Sequence, residues 1–68
     1  MEQQEIEILS RLRDQFNEGF VVKKTVLKAR DIFNKYNPLE KIDYCMCTKV
    51  RRQIYAKQFI DWYEAFNR

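Results

Sequence analysis

The spacing of apolar residues along the chain predicts three amphipathic helices. The first runs from about Glu2 to Asn17, and its apolar positions recur at intervals that share one side of a helix. These positions are Ile8, Leu9, Leu12 and Phe16. Gly19 is expected to end this helix, because glycine adopts a left-handed cap without steric strain.

The second predicted helix runs from Phe20 or Val21 to Tyr36. Its apolar residues recur at spacings of three and four, which is typical of a helix-packing seam. They are Val22, Val26, Ala29, Phe33 and Tyr36. The Asn37-Pro38 pair should end this helix, since the residue before a proline avoids the helical region.

The third predicted helix begins at Asp43, a favourable N-cap residue, and runs to Asn67. Its apolar residues are Val50, Ile54, Tyr55, Phe59, Trp62 and Phe66. At roughly 24 residues it would be about 36 Å long, so part of it should project beyond the two shorter helices. The expected fold is all-α, a three-helix bundle with a longer C-terminal helix, in a single helical domain over residues 1–68.

The composition is typical of a small helical domain. Of the 68 residues, 46% are hydrophobic, which is too apolar for a disordered chain even though 34% are charged. One glycine and one proline leave few turn-forming residues. A chain of this size buries only about 60% of the surface that its unfolded form exposes, so its stability alone is marginal.

Charge is distributed unevenly along the chain. Residues 1–20 contain five acidic and two basic residues, a net charge of −3, whereas residues 21–68 contain eleven basic and five acidic residues, a net charge of +6. Either the acidic first helix neutralises its basic neighbours within the bundle, or a basic face is directed at phosphate or at an acidic protein.

The sequence shows no sign of membrane insertion or secretion. No stretch approaches the ~18 apolar residues of a membrane span. The acidic N-terminus differs from a signal peptide, which needs a basic start and an apolar run. Two closely spaced cysteines do not make a disulfide framework, so we expect the chain to fold in a reducing compartment.

Cys45-Met46-Cys47 is the one local arrangement that could carry chemistry. A structural zinc site needs four ligands, and this chain supplies only two cysteines and no histidine, so zinc would require a second copy. A redox role is the next alternative, because a cysteine in the first turn of a helix has a lowered pKa. The third alternative, which we adopt, is that both cysteines pack as small apolar residues under the connection. No metal and no cofactor are therefore predicted.

Other catalytic arrangements are absent from the sequence. It has no histidine base, no glycine-rich phosphate loop and no nucleophile elbow. We therefore expect a non-enzymatic protein with no small-molecule substrate.

The first half of the third predicted helix is basic. Lys49 and Arg52 share one face, with Lys57 near its edge, and such a face could lie along phosphates. Nucleic-acid binding through Lys49, Arg52 and Lys57 is one functional hypothesis.

The second half of this helix is rich in aromatic residues. Phe59, Ile60, Trp62, Tyr63 and Phe66 cover an arc of roughly 160° at about 100° per residue. A helix packed on one side of a small bundle needs only about 100°. Large rigid aromatics are typical interface anchors, so these five residues form the predicted partner-binding surface. The alternative is that three helices simply meet around this end.

The run from Asp43 to Arg52, which contains the cysteine pair, and the run Phe59-Ile60-Asp61-Trp62-Tyr63 carry a family resemblance. Residues 43–66 resemble small uncharacterised helical proteins with closely spaced cysteines that phages of Bacteroidota encode. Many of those proteins have two residues between the cysteines, whereas this chain has one. The resemblance implies a phage-encoded protein, such as a virion component, located in the host cytoplasm or the virion.

These features together predict a small helical interaction protein that acts inside a larger assembly, as a phage virion or accessory component. Its expected partner is another protein or a second copy of the chain. Nucleic-acid binding through the basic face is the alternative.

Overall fold

The computed structural model describes residues 1–66 and contains three α-helices in the predicted order. Helix α1 spans Gln3–Asn17, α2 spans Lys23–Tyr36 and α3 spans Lys49–Phe66, and a short 3₁₀ turn, Pro38–Glu40, follows α2. Each helix packs against the other two, and residues 1–66 contain no strand. The predicted all-α fold with three helices, the longest at the C-terminus, is confirmed.

One hydrophobic core joins the three helices. Its largest fully buried side chains are Phe59, Leu9, Leu12, Met46 and Val26. At its centre, Phe33 of α2 contacts both Phe59 and Trp62 of α3, with ring centroids 5.3 and 5.4 Å apart. Aromatic pairs at such distances stabilise a core beyond the area that they bury.

Gly19 ends α1, as its sequence position predicts. Its φ of +90° lies in the left-handed region. The N–H groups of Gly19 and Phe20 donate to the carbonyls of Phe16 and Gln15, respectively. This Schellman pattern satisfies carbonyls that the end of a helix would otherwise leave without a partner.

Helix α2 begins at Lys23, later than the predicted start at Phe20 or Val21. The side chain of Gln15 in α1 accounts for the difference. Its Oε1 accepts a hydrogen bond from the Val22 N–H at 3.1 Å, and its Nε2 donates to Thr25 Oγ1 at 3.2 Å. A side chain of one helix thus accepts from a backbone N–H that the start of the next helix would leave without a partner.

Helix α3 begins at Lys49, so the predicted start at Asp43 is wrong. Thr48 is the N-cap, because its Oγ1 accepts from the Arg51 N–H at 3.2 Å. The helix has 18 described residues, which is about 27 Å rather than about 36 Å. The described chain is 26 Å along its longest axis, so α3 does not project far beyond its neighbours. The predicted end at Asn67 lies outside the described residues.

Side chains of α2 hold the segment before α3 out of a helix. The Asn34 amide both donates to the Ile42 carbonyl and accepts from the Ile42 N–H, each at 2.8 Å. Arg30 donates to the Tyr44 carbonyl at 2.7 Å. Ile42 and Met46 of this segment are buried, so the connection contributes to the core as well as joining two helices.

Glu5 is a buried carboxylate where α1 meets α2. Its Oε1 accepts from the Tyr36 hydroxyl at 2.7 Å and from the Glu2 N–H at 3.0 Å, and its Oε2 accepts from Lys35 Nζ at 3.0 Å. The Tyr36 hydrogen bond, then the Glu2 and Lys35 bonds, lower the pKa of Glu5 from 4.5 to about 2. The ionised carboxylate therefore connects the start of α1 to the end of α2.

We expect the Glu5 network to make stability depend on pH in the acid range. A carboxyl whose folded pKa lies below its unfolded value stabilises the fold above the unfolded pKa, and this contribution is lost as the pH falls through the folded pKa. Glu5→Gln should therefore lower the unfolding temperature at neutral pH. Its difference from the wild type should shrink as the pH falls from 4.5 to about 2.

Thermal unfolding followed by circular dichroism measures this difference at each pH. Glu7→Gln changes an exposed carboxylate of the same helix and serves as the matched control, with little effect expected at any pH. A gap between Glu5→Gln and the wild type that stays constant down to about pH 2 would contradict the assigned network.

Candidate functional site

Three of the five predicted partner-binding residues lie in the core. Phe59 is fully buried, and Ile60 and Tyr63 are each 6% exposed. The Tyr63 hydroxyl is within hydrogen-bonding distance of Ser10 Oγ in α1, at 3.2 Å. The three helices do meet around this end of α3, so these three side chains are unavailable to a partner and the five residues do not form a continuous surface.

Trp62 and Phe66 form the outer edge of this aromatic cluster. Trp62 is partly buried, and its ring centroid lies 5.4 Å from that of Phe33 and 5.9 Å from that of Tyr36. Phe66 is 47% exposed. The accessible part of the predicted surface is therefore a narrow aromatic edge.

Two of the three predicted nucleic-acid-binding residues have partners within the chain. Arg52 Nη1 donates to the carbonyls of Met46 and Cys47, at 3.1 and 3.3 Å. Lys57 pairs with Asp61, one turn further along α3, at 3.3 Å. Lys49 is exposed at the start of the helix. Arg52 thus stabilises the turn before α3, and the basic face has less charge free for phosphate than the sequence suggests.

Exposed apolar side chains lie on a different surface. Val50 and Ile54, one turn apart on α3, are 67% and 60% exposed. At the α1–α2 turn, Phe20 and Val22 are 49% and 42% exposed. The sequence places Val22 in the predicted packing seam of the second helix, and Val50 and Ile54 among the apolar residues of the third, but all three are exposed.

An open groove of about 700 Å³ lies between the α1–α2 turn and α3. This α1–α3 groove is lined by Phe16, Gly19, Val21, Gln53, Ile54, Lys57, Gln58 and Asp61. Its apolar lining comes from both α1 and α3, and its polar lining includes two glutamines and the Lys57–Asp61 ion pair. Apolar walls with a few polar groups are typical of binding sites.

The sequence contained a signal for this groove that the prediction of the third helix did not use. At about 100° per residue, Val50 and Ile54 point roughly 150° away from the core positions Ala56, Phe59 and Tyr63. A helix with one buried face does not need apolar residues on the opposite side. Two separate apolar stripes on α3 therefore indicate a second contact surface.

The second chemically distinctive feature is the thiol turn, which we define as Cys45, Met46 and Cys47. Both cysteines are exposed free thiols, so the prediction that they pack as small apolar residues is wrong. Met46 is the fully buried member, and its φ of +57° lies in the left-handed region. The turn is exposed at both ends because its central side chain enters the core.

Three arginines hold the thiol turn and its preceding residue. Arg52 binds two carbonyls of the turn, as described above, and Arg30 binds the carbonyl of Tyr44. The Arg51 guanidinium lies over the Tyr44 ring, 4.7 Å from its centroid. The backbone of the turn is therefore anchored from both α2 and α3, within a basic environment.

The Cys47 thiol lies against the backbone of Cys45. Cys47 Sγ is 3.7 Å from the Cys45 carbonyl oxygen. A hydrogen bond with the Cys47 side chain lowers the pKa of the Cys45 thiol, and the positive charge of Lys23 acts in the same direction. The lowered pKa makes the Cys45 thiol a candidate nucleophile.

Searches for a metal site, for a membrane-spanning helix and for related proteins assign no further function. Within residues 1–66, no three histidine, cysteine, aspartate or glutamate side chains are grouped so that they could hold a metal ion. None of the helices in that part of the chain has the length and apolar character needed to cross a membrane. Comparison with models of protein families, with curated proteins and with solved structures gave no match.

Proposed function

We propose that this protein is a small non-enzymatic interaction module that binds an amphipathic helix of a partner protein in the α1–α3 groove. The exposure of Val50 and Ile54, on the side of α3 opposite the core, is the observation that carries this proposal. A grouped set of exposed apolar side chains beside a groove is typical of a protein-binding surface.

The shape and charge of the surface indicate the chemistry of the partner. Two apolar anchors one turn apart suit a helix that presents apolar residues at intervals of three and four. Lysines lie close to these anchors, since the exposed Lys49 precedes Val50 and Lys57 lines the groove with Ile54. Acidic residues beside the partner's apolar stripe would complement them, whereas a second copy of this chain, with its net charge of +3, would bring like charges.

The resemblance of residues 43–66 to small phage proteins adds a setting to this proposal. The module would act within a virion or another phage assembly, in the host cytoplasm or the particle. Nucleic acid is the less favoured partner, because Arg52 and Lys57 already bind groups of the chain itself.

A titration with a designed helical peptide tests the groove. The probe carries leucines at intervals of three and four with glutamates beside them, and a peptide of the same composition in scrambled order is its control. Backbone amide shifts of the labelled protein should change along residues 16–22 and 50–61. The double variant Val50→Asp, Ile54→Asp should weaken binding by at least about tenfold, as expected for central anchors.

Leu39→Asp is the matched control variant, because Leu39 is 99% exposed and lies in the 3₁₀ turn, away from the groove. It introduces the same kind of charge and should leave the Kd unchanged. Equal shifts with the scrambled peptide, or equal weakening by Leu39→Asp, would exclude the groove as the binding site. Concentration-dependent shifts at the groove without peptide would instead identify a second copy as the occupant, and binding of duplex DNA alone would favour nucleic acid.

A further inference from the structure

We infer that Cys45 and Cys47 form a redox-active pair that exchanges with small-molecule disulfides through a reversible disulfide between the two residues. This activity is independent of helix binding in the α1–α3 groove. It rests on the geometry of the thiol turn, in which two exposed cysteines flank a buried residue of uncommon conformation and Cys47 Sγ lies 3.7 Å from the Cys45 carbonyl oxygen.

Met46 sets the backbone conformation of the thiol turn. A residue with a side chain is disfavoured at positive φ, and such conformations persist only where the surroundings enforce them. Here the enforcement comes from burial of the Met46 side chain and from the Arg52 hydrogen bond to its carbonyl. The left-handed residue bends the chain, so that the Cys47 thiol lies against the Cys45 carbonyl while both cysteines stay exposed.

The reaction consists of two thiol–disulfide exchanges. The Cys45 thiolate attacks one sulfur of the small disulfide, which forms a mixed disulfide on Cys45 and releases one small thiol. The Cys47 thiolate then attacks the Cys45 sulfur, which closes the Cys45–Cys47 bond and releases the second small thiol. The protein loses two electrons and two protons, and these reduce the small disulfide to two thiols.

The charges around the turn favour this chemistry over metal binding. The positive charge of Lys23, at the start of α2, acts on the Cys45 thiol, and Arg52, at the start of α3, binds the carbonyl of Cys47. Cationic neighbours favour the thiolate, which is the nucleophile. The same charges repel a metal cation, and two thiolates supply only half of the ligands of a structural zinc site.

The closed form is expected to be easily reduced. Only one residue separates the two cysteines, so the disulfide closes a very short loop, and strained or exposed disulfides have more oxidising potentials than structural ones. The pair should therefore close with oxidised glutathione and reopen with excess reduced glutathione, as a reversible exchange site requires.

Mass spectrometry after alkylation tests the assignment on the intact, reduced chain. Oxidised glutathione should yield a monomer lighter by two hydrogens with both cysteines protected from alkylation. The reaction of the Cys47→Ser variant should stop at a stable glutathione adduct on Cys45. Cys45→Ser should form its adduct on Cys47 at least about tenfold more slowly, because the attacking thiolate is lost. Leu39→Ala, at a residue that is 99% exposed in the 3₁₀ turn, should close at the wild-type rate.

Three results would overturn the inference. The first is adduct formation at equal rates in both single variants with no closure in the wild type. The second is that only disulfides between two chains form. The third is stoichiometric binding of zinc by the reduced protein, with the metal blocking oxidation, which would make the pair a metal ligand set.

Discussion

Phe59→Ala is expected to remove a large part of the free energy of unfolding of this chain. Phe59 is fully buried, and its ring contacts that of Phe33 across the α2–α3 interface. Replacing a buried phenylalanine with alanine costs about 3–5 kcal/mol, because apolar contact is lost and a cavity remains. For a chain of 68 residues, typical stabilities of about 0.05–0.15 kcal/mol per residue give roughly 3–10 kcal/mol in total.

Urea denaturation followed by tryptophan fluorescence measures this effect. Phe66→Ala removes the same ring from a position of α3 that is 47% exposed, and we expect it to cost about 1 kcal/mol or less. Similar losses for the two variants would contradict the placement of Phe59 at the centre of the bundle. The comparison also separates the buried part of the aromatic cluster from its accessible edge.

Met46→Ala is expected to lower the free energy of unfolding by about 2–5 kcal/mol, as for other truncations of large buried side chains. Met46 is fully buried although it belongs to an irregular connection. Its φ of +57° adds a second expectation, since alanine retains the steric penalty of this conformation and glycine does not. Met46→Gly should therefore be at least as stable as Met46→Ala.

This order of stabilities is the reverse of that at an ordinary helix or strand position, where glycine is worse than alanine by roughly 0.5–1 kcal/mol. Chemical denaturation of both variants gives the comparison directly. Cys47→Ala, at the exposed neighbouring position, is the control and should change stability little. If Met46→Gly proves less stable than Met46→Ala by the usual margin, the left-handed turn is not the native conformation.

The ends of α1 and α2 could be predicted because their signals are local. Gly19 permits a left-handed residue and Pro38 restricts the residue before it, and both effects depend only on the steric properties of neighbouring atoms. The beginnings of α2 and α3 could not be predicted in this way. Gln15 and Asn34 set them with hydrogen bonds to residues of another segment, and these bonds exist only after the helices have packed.

The candidate sites likewise contain some features that the local sequence predicts and others that only packing decides. Aromatic residues such as Phe59 and Tyr63 suit a core and an interface equally well, so composition cannot assign them, and packing placed both inside. Val50 and Ile54 differ, since the spacing of residues along α3 already separates them from the core stripe. The groove that Ile54 lines, however, needs the α1–α2 turn beside it.

Periodicity and steric stop signals are enough to determine that this chain forms three helices, that the last is the longest, and where the first two end. Those signals act over a few residues, within the reach of a single helical turn. Burial depends on contacts between distant segments. The sequence therefore identified Cys45 and Cys47 as a pair, but it could not show that Met46 enters the core in a left-handed conformation. That arrangement exposes both thiols, and it follows from the packing of Met46 in the core and from the hydrogen bond that Arg52 makes to its carbonyl.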